Sequence, residues 1–122
     1  MKKFILTIFT FMIIAIGGVL PLHGQISNPV KWKFNTVKVN DSIAELQFVA
    51  TIEPHWHLYA QSHKGMENPL VFEFKSSKDY KRIGNVWEPK PISFYDSIFD
   101  DTSLYFEKKV TFKQKIKVQN AE

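Results

Sequence analysis

Apolar and polar residues alternate with a period of two along most of this chain. Val30, Trp32 and Phe34 alternate with Lys31, Lys33 and Asn35. Ala44, Leu46, Phe48, Ala50 and Ile52 then alternate with Glu45, Gln47, Val49, Thr51 and Glu53. Successive side chains of a strand point to opposite faces, so each run predicts a strand with one buried and one wet face. Asn40-Asp41 supplies a turn between them, and Pro54, which has no amide proton for a ladder, ends the second. A third, shorter strand is expected over residues 56–61. A fourth opens at Pro69, where Leu70, Phe72 and Phe74 alternate with Val71, Glu73 and Lys75. A fifth covers residues 80–87, interrupted by Gly84. Glu88-Pro89-Lys90-Pro91 excludes a central strand and opens a long excursion to about Ser103. The last run covers residues 104–118. Val110, Phe112, Ile116 and Val118 share one face, with Gln114 as the exception, and Lys109, Thr111, Lys113, Lys115 and Lys117 share the other. A lysine row of this kind reads as a solvated face that discourages edge-to-edge pairing, with a site for an anionic partner as the lesser alternative.

Six short strands joined by turns predict an all-β fold, an immunoglobulin-like antiparallel β-sandwich. A full sandwich of that type has about seven strands. The expectation is therefore a sandwich lacking its last strand or strands, with residues 104–118 at an open edge.

The first two dozen residues follow a different pattern. Lys2 and Lys3 precede an apolar run over residues 4–20, Pro21 breaks it, and Gly24 offers a small residue for cleavage. This predicts a signal helix, a secretory signal peptide over residues 1–24, followed by a linker over 25–29 and the domain over 30–122, with an uncleaved anchor helix as the rival reading of the apolar run. The expected location is the periplasm, reached by secretion across the inner membrane, with membrane contact expected only through the signal segment or a missing downstream transmembrane domain. No cysteine follows the apolar run, which excludes a lipid anchor at that point.

The 122 residues suffice for one domain. Net charge is +4, and removing residues 1–24 takes away Lys2 and Lys3, leaving 14 basic against 12 acidic residues and a net charge of +2. That balance does not argue for nucleic acid. All three Trp and most of the eleven Phe fall after residue 24 and supply apolar mass for a core without disulfides, and the chain has no cysteine with which to form one.

Candidate chemistry is sparse. His55 and His57 share one side of a strand and, with His63 and Glu67 nearby, have the residue types of a metal site. A lone His-x-His lacks the fixed three- or four-ligand geometry of zinc, and the cluster reads as an aromatic strand end. Asp96, Asp100 and Asp101 do not follow the ligand spacing of a calcium loop. No phosphate loop, dinucleotide fingerprint or nucleophile elbow is present. No metal and no cofactor is expected.

Trp56-His57-Leu58-Tyr59, Asn68-Pro69-Leu70-Val71-Phe72-Glu73-Phe74, Asn85-Val86-Trp87-Glu88-Pro89-Lys90-Pro91 and Tyr105-Phe106-Glu107-Lys108-Lys109 occur in that order. Together they resemble the periplasmic N-terminal domain of the thiol:disulfide interchange protein DsbD. The resemblance covers roughly residues 30–118. It implies an immunoglobulin-like sandwich that receives electrons from a thioredoxin-like domain and passes them by thiol–disulfide exchange to periplasmic disulfide proteins. It implies a cap loop at Phe94 and Tyr95, with Glu88 near the family's acidic cap-loop residues. It also implies an active-site-facing strand at His57 and Tyr59, where the family has two tyrosines. Histidine changes charge near neutral pH, and at position 57 it would favour a thiolate beside it. The family's cysteine pair follows the segment corresponding to residues 104–118. This chain has none, so no catalytic residue is assigned. It is expected to be either a piece separated from its cysteine-bearing hairpin or a shortened form without the chemistry. The alternative function is a non-catalytic secreted β-sandwich serving as a binding or structural module.

Overall fold

The computed structural model describes residues 28–119, and the signal helix expected over residues 1–24 lies outside them. Seven strands follow in chain order: β1 Val30–Lys38, β2 Ile43–Ile52, β3 Leu58–Tyr59, β4 Tyr80–Trp87, β5 Ile92–Asp96, β6 Asp101–Phe106 and β7 Lys109–Val118. All pairings are antiparallel. One sheet has the order β1-β2-β7-β4 and the other the order β3-β6-β5. The fold is thus an all-β, two-sheet sandwich. Among the described residues no helix is long and apolar enough to cross a membrane.

The first hairpin forms because Asn40 satisfies the backbone at the reversal. Its Oδ1 accepts hydrogen bonds from the Ser42 amide at 2.9 Å and the Ile43 amide at 2.8 Å. The register that follows sets Trp32 opposite Ala50 and Phe34 opposite Phe48, so the apolar sets of β1 and β2 lie on one face. β7 continues that face, with Ala50 opposite Val110 and Phe48 opposite Phe112.

The core lies between the sheets. Ala50, Ile52, Val110 and Phe112 come from one, Phe106 from the other, and Ala60 from the end of β3. Phe112 is fully buried, with ring centroids 5.2 Å from Phe72 and 5.6 Å from Phe106.

Gln114 interrupts the apolar face of β7, yet it too is fully buried. Arg82 Nε and Nη2 donate to its Oε1 at 3.3 and 3.2 Å, and its Nε2 donates to the carbonyls of Ile83 and Gly84 at 3.1 and 3.2 Å. Those carbonyls belong to an irregularity in β4 between Ile83 and Trp87, where Gly84 adopts a φ of 73°. A buried amide must find partners, and here it finds them in the bulge that it holds.

Four expectations are corrected. Residues 69–75 alternate in burial but form no strand. Leu70 and Phe72 pack on the core, yet no ladder bonds reach this segment, because alternation records which side chains are buried and not whether the backbone is paired. The third strand is only Leu58–Tyr59. The excursion after Pro91 contains β5, paired with β6 from Ile92 opposite Tyr105 to Asp96 opposite Asp101. Residues 104–118 are not one strand: the chain turns at Glu107-Lys108, with Lys108 at a φ of 66°, and passes from one sheet to the other.

The last point also removes the open edge expected on that run. β7 is an interior strand, paired with β2 on one side and β4 on the other. Val110, Phe112 and Ile116 are all buried.

Candidate functional site

The outer face of the three-stranded sheet gathers the aromatic residues singled out in the sequence. Tyr59 lies opposite Tyr105, Tyr105 lies opposite Ile92, and Phe94 lies opposite Ser103. Period-two alternation then sets His57, Tyr59, Tyr105, Ile92 and Phe94 on one face, with Leu58, Leu104 and Phe106 on the core side. Tyr95 belongs to the opposite parity. It is exposed, and its hydroxyl donates to Asp100 Oδ1 at 2.6 Å.

His57 reaches this face from the turn between β2 and β3. The Glu53 amide bonds to the Pro29 carbonyl at 2.8 Å, and the Trp56 amide bonds back to Glu53 at 3.1 Å. His55 takes a left-handed φ of 70° within that turn. The His57 ring stacks on Tyr105 with centroids 3.8 Å apart and planes 15° from parallel. Its Nε2 lies 3.2 Å from Glu107 Oε1. A cavity of about 640 Å³ opens beside the pair, lined by residues that include Pro54, Trp56, His57 and Lys108.

Tyr59 is covered by the loop that follows β3. His63, from that loop, is buried, with its ring centroid 4.7 Å from that of Tyr59. The Ala60 amide donates to the Leu104 carbonyl at 2.9 Å, and the Leu104 amide donates to His63 Nδ1 at 3.1 Å. The imidazole thus takes the place of a backbone carbonyl where β3 ends. Since Nδ1 accepts, the proton sits on Nε2, which donates to Glu67 Oε1 at 3.2 Å. Burial raises the Tyr59 hydroxyl pKa above its ordinary value. The charge of Glu67 and a hydrogen bond to it push the same way, with smaller help from Asp101 and Tyr105.

Two carboxylates tie the loop down. Glu88 Oε1 accepts from the Gln61 amide at 2.8 Å, and Oε2 accepts from the Ser62 hydroxyl at 2.8 Å. Asp101 Oδ2 accepts from the Met66 amide at 3.2 Å. Gly65 is required by space: a Cβ there would lie 2.6 Å from His63 Cε1 and 2.8 Å from Asp101 Oδ2. Glu88 therefore anchors the loop after β3. Its hydrogen bonds all go to Gln61 and Ser62.

The tip joining β5 and β6 is apolar and exposed, with Ile98 85% and Phe99 64% accessible. Asp96 shapes it, accepting from the Ile98 amide at 2.8 Å and the Phe99 amide at 3.3 Å.

Of the four candidate metal ligands, His57 engages Glu107 and Tyr105, whereas His63 and Glu67 engage each other. Among the described residues no group of three or more His, Asp or Glu could hold a metal ion. No motif in the sequence marks the His63–Leu104 bond or the Glu88 anchor. Their partners are 41 and 27 residues away, and no local spacing marks them.

No curated protein and no solved structure matches the chain. A family model does: thiol:disulfide interchange protein DsbD, N-terminal, over residues 26–122. That span covers every described strand, including the outer face that carries His57, Tyr59 and Phe94. The chain belongs to the family of N-terminal domains of the thiol:disulfide interchange protein DsbD.

Proposed function

We propose that this domain is the docking module of a periplasmic electron relay in a DsbD-like disulfide reductase. Thiol–disulfide exchange needs an attacking thiolate. No residue of this 122-residue chain supplies one, so its own contribution is recognition. Its partners are a thioredoxin-like domain and oxidised periplasmic proteins. Residues 1–24 direct export, and the mature chain starts at Gln25.

The observation that carries this reading is the shared face: register sets His57, Tyr59, Tyr105 and Phe94 together on the outside of the three-stranded sheet. Phe94 is 55% accessible there, and the apolar tip at Ile98 and Phe99 closes the same hairpin. Exposed aromatic groups on a rigid sheet make contact anchors at low entropic cost. In this reading Phe94 forms the cap and His57 and Tyr59 form the floor, while Tyr95, on the opposite parity, lies outside that face.

The test is titration of residues 25–122 with the thioredoxin-like domain of a DsbD-type reductase, followed by NMR. Shift changes should cluster on β3, β5 and β6, and Phe94→Ala should weaken binding at least tenfold. Saturating shifts confined to the four-stranded sheet, or none at all, would reject the assignment. The absence of cysteine also favours a second reading, a binding module with no redox partner. Binding to the thioredoxin-like domain separates the two.

A further inference from the structure

The outer face of the four-stranded sheet carries a lysine array that the relay does not use. Antiparallel register sets Lys31 and Lys109 on either side of Thr51, and Lys33 beside Val49 and Thr111. Lys113 lies opposite Gln47, Lys115 opposite Glu45, and Lys117 opposite both Ile43 and Lys81. Seven lysines from three strands, residues 31, 33, 81, 109, 113, 115 and 117, thus share one face with a single carboxylate, Glu45. Among the described residues none of the seven forms an ion pair, and Glu45 instead accepts from Gln47 Nε2 at 2.9 Å.

A cluster of acids lies on the other sheet. Asp96, Asp101 and Glu107 follow the outer parity of the three-stranded sheet, with Glu67 in the loop above it. A domain of nearly balanced charge is therefore polarised across its thickness, and such a field orients it toward an anionic surface.

Two further features select the kind of surface. Lysine is a point charge without the planar fork that reads one carboxylate or phosphate. The only arginine in the chain, Arg82, turns to the core side and binds Gln114. Apolar groups stand among the lysines: the β4 bulge brings Trp87 opposite Lys113, 53% accessible, with Lys113 Nζ 5.3 Å from its ring centroid. Ile83, 41% accessible, lies opposite Lys115. Lysines about 5–7 Å apart on one sheet face, with an exposed tryptophan among them, fit a surface of lipid head groups and the boundary beneath it.

We propose that this face docks the domain on an anionic lipid bilayer, leaving the three-stranded sheet and its aromatic face turned away from the membrane.

The test uses residues 25–122, which contain the whole core, and vesicles of equimolar phosphatidylglycerol and phosphatidylcholine. Co-sedimentation should show binding at low salt, none to pure phosphatidylcholine, and loss in 1 M salt, where charges are screened beyond about 3 Å. Replacing Lys109, Lys113, Lys115 and Lys117 with Gln should weaken binding on the order of a hundredfold or more, at roughly fivefold per lysine. Replacing Lys38, Lys64, Lys90 and Lys108 with Gln makes the same change in net charge off this face and should cost far less. Arg at 109, 113, 115 and 117 should retain binding, and circular dichroism melts check that each variant is folded. No binding of the folded wild type, or equal loss in both Gln variants, overturns the proposal. So does sedimentation as a self-associated species without lipid, which would assign the face to the acidic side of a second copy.

Discussion

The His57 imidazole lies flat on the Tyr105 ring, 3.8 Å between centroids and 15° from parallel, although the two are 48 positions apart in the chain. The contact links the turn that enters β3 to the central strand of its sheet. It also fixes the direction in which His57 Nε2 meets Glu107. Both members of that polar pair are more than a third exposed, so the polar contact itself adds little stability. The ring contact is the larger effect. A double-mutant cycle with His57→Ala and Tyr105→Ala, followed by urea unfolding, should give a coupling of about 0.5–1.5 kcal/mol. Independent effects would show that the stack forms no energetic unit.

Glu88 is a half-buried carboxylate that accepts from the backbone of Gln61 and from both the backbone and hydroxyl of Ser62. Hydrogen bonds to a charged acceptor contribute about 1.5–3 kcal/mol each when buried. Solvent access at this site lowers that figure. Glu88→Ala should destabilise the domain by about 1–2 kcal/mol and Glu88→Gln by less, because an amide oxygen still accepts. Hydrogen exchange locates the effect. The Gln61 and Ser62 amides should lose protection in Glu88→Ala, whereas the core amides of Phe112 should change only with global stability.

How much of this was legible depends on the range of the interaction. β1, β2 and β7 could be read because one face of each packs on the core, and period-two patterning records that directly. The same pattern misled at Leu70, Phe72 and Phe74, which alternate in burial without joining a ladder. β5 was hidden because Ile92 and Phe94 face outward and two prolines precede them, so the run lacks a buried face to announce it. The turn at Glu107-Lys108 uses a left-handed lysine where a glycine would have marked the break. The order of motifs singles out His57, Tyr59 and Phe94, and register and ring stacking put the three on one face, which alternation alone could not show. Tyr95 falls on the other parity, and the structural task of His63 depends on a strand that only the fold brings to it.

Tyr59 sets the alkaline limit that the site contributes. Burial and the neighbouring Glu67 carboxylate raise its pKa above the ordinary 10.0, so the folded chain keeps this proton to higher pH than the unfolded chain does. Its contribution is therefore complete below pH 10 and is lost as pH rises through the folded pKa. Unfolding free energy measured in urea should fall above pH 10, and Tyr59→Phe should flatten that part of the curve. Tyr95, raised chiefly by its hydrogen bond to Asp100, titrates in the same direction. Ultraviolet titration of Tyr59→Phe and Tyr95→Phe should each remove one late-ionising phenol. An unchanged titration in Tyr59→Phe would show that Glu67 and burial do not hold that proton.

The absence of cysteine makes the last expectation a chemical one. Disulfide reduction by exchange proceeds through a mixed disulfide formed by an attacking thiolate. Neither the His57 imidazole nor the Tyr59 phenol can form that bond or supply the two electrons that a disulfide takes up on reduction. Residues 25–122 with dithiothreitol should therefore precipitate insulin no faster than dithiothreitol alone, at any pH from 6 to 8. A rate above that background would mean that some group other than a thiol turns over disulfides here. If the domain nevertheless binds a thioredoxin-like domain through Phe94 and His57, recognition and chemistry are separable in this fold. Placing a cysteine pair beside His57 should then restore turnover without altering the docking surface. Restored turnover that is lost again with His57→Phe would show that the imidazole promotes the thiolate, and turnover indifferent to that change would confine His57 to docking.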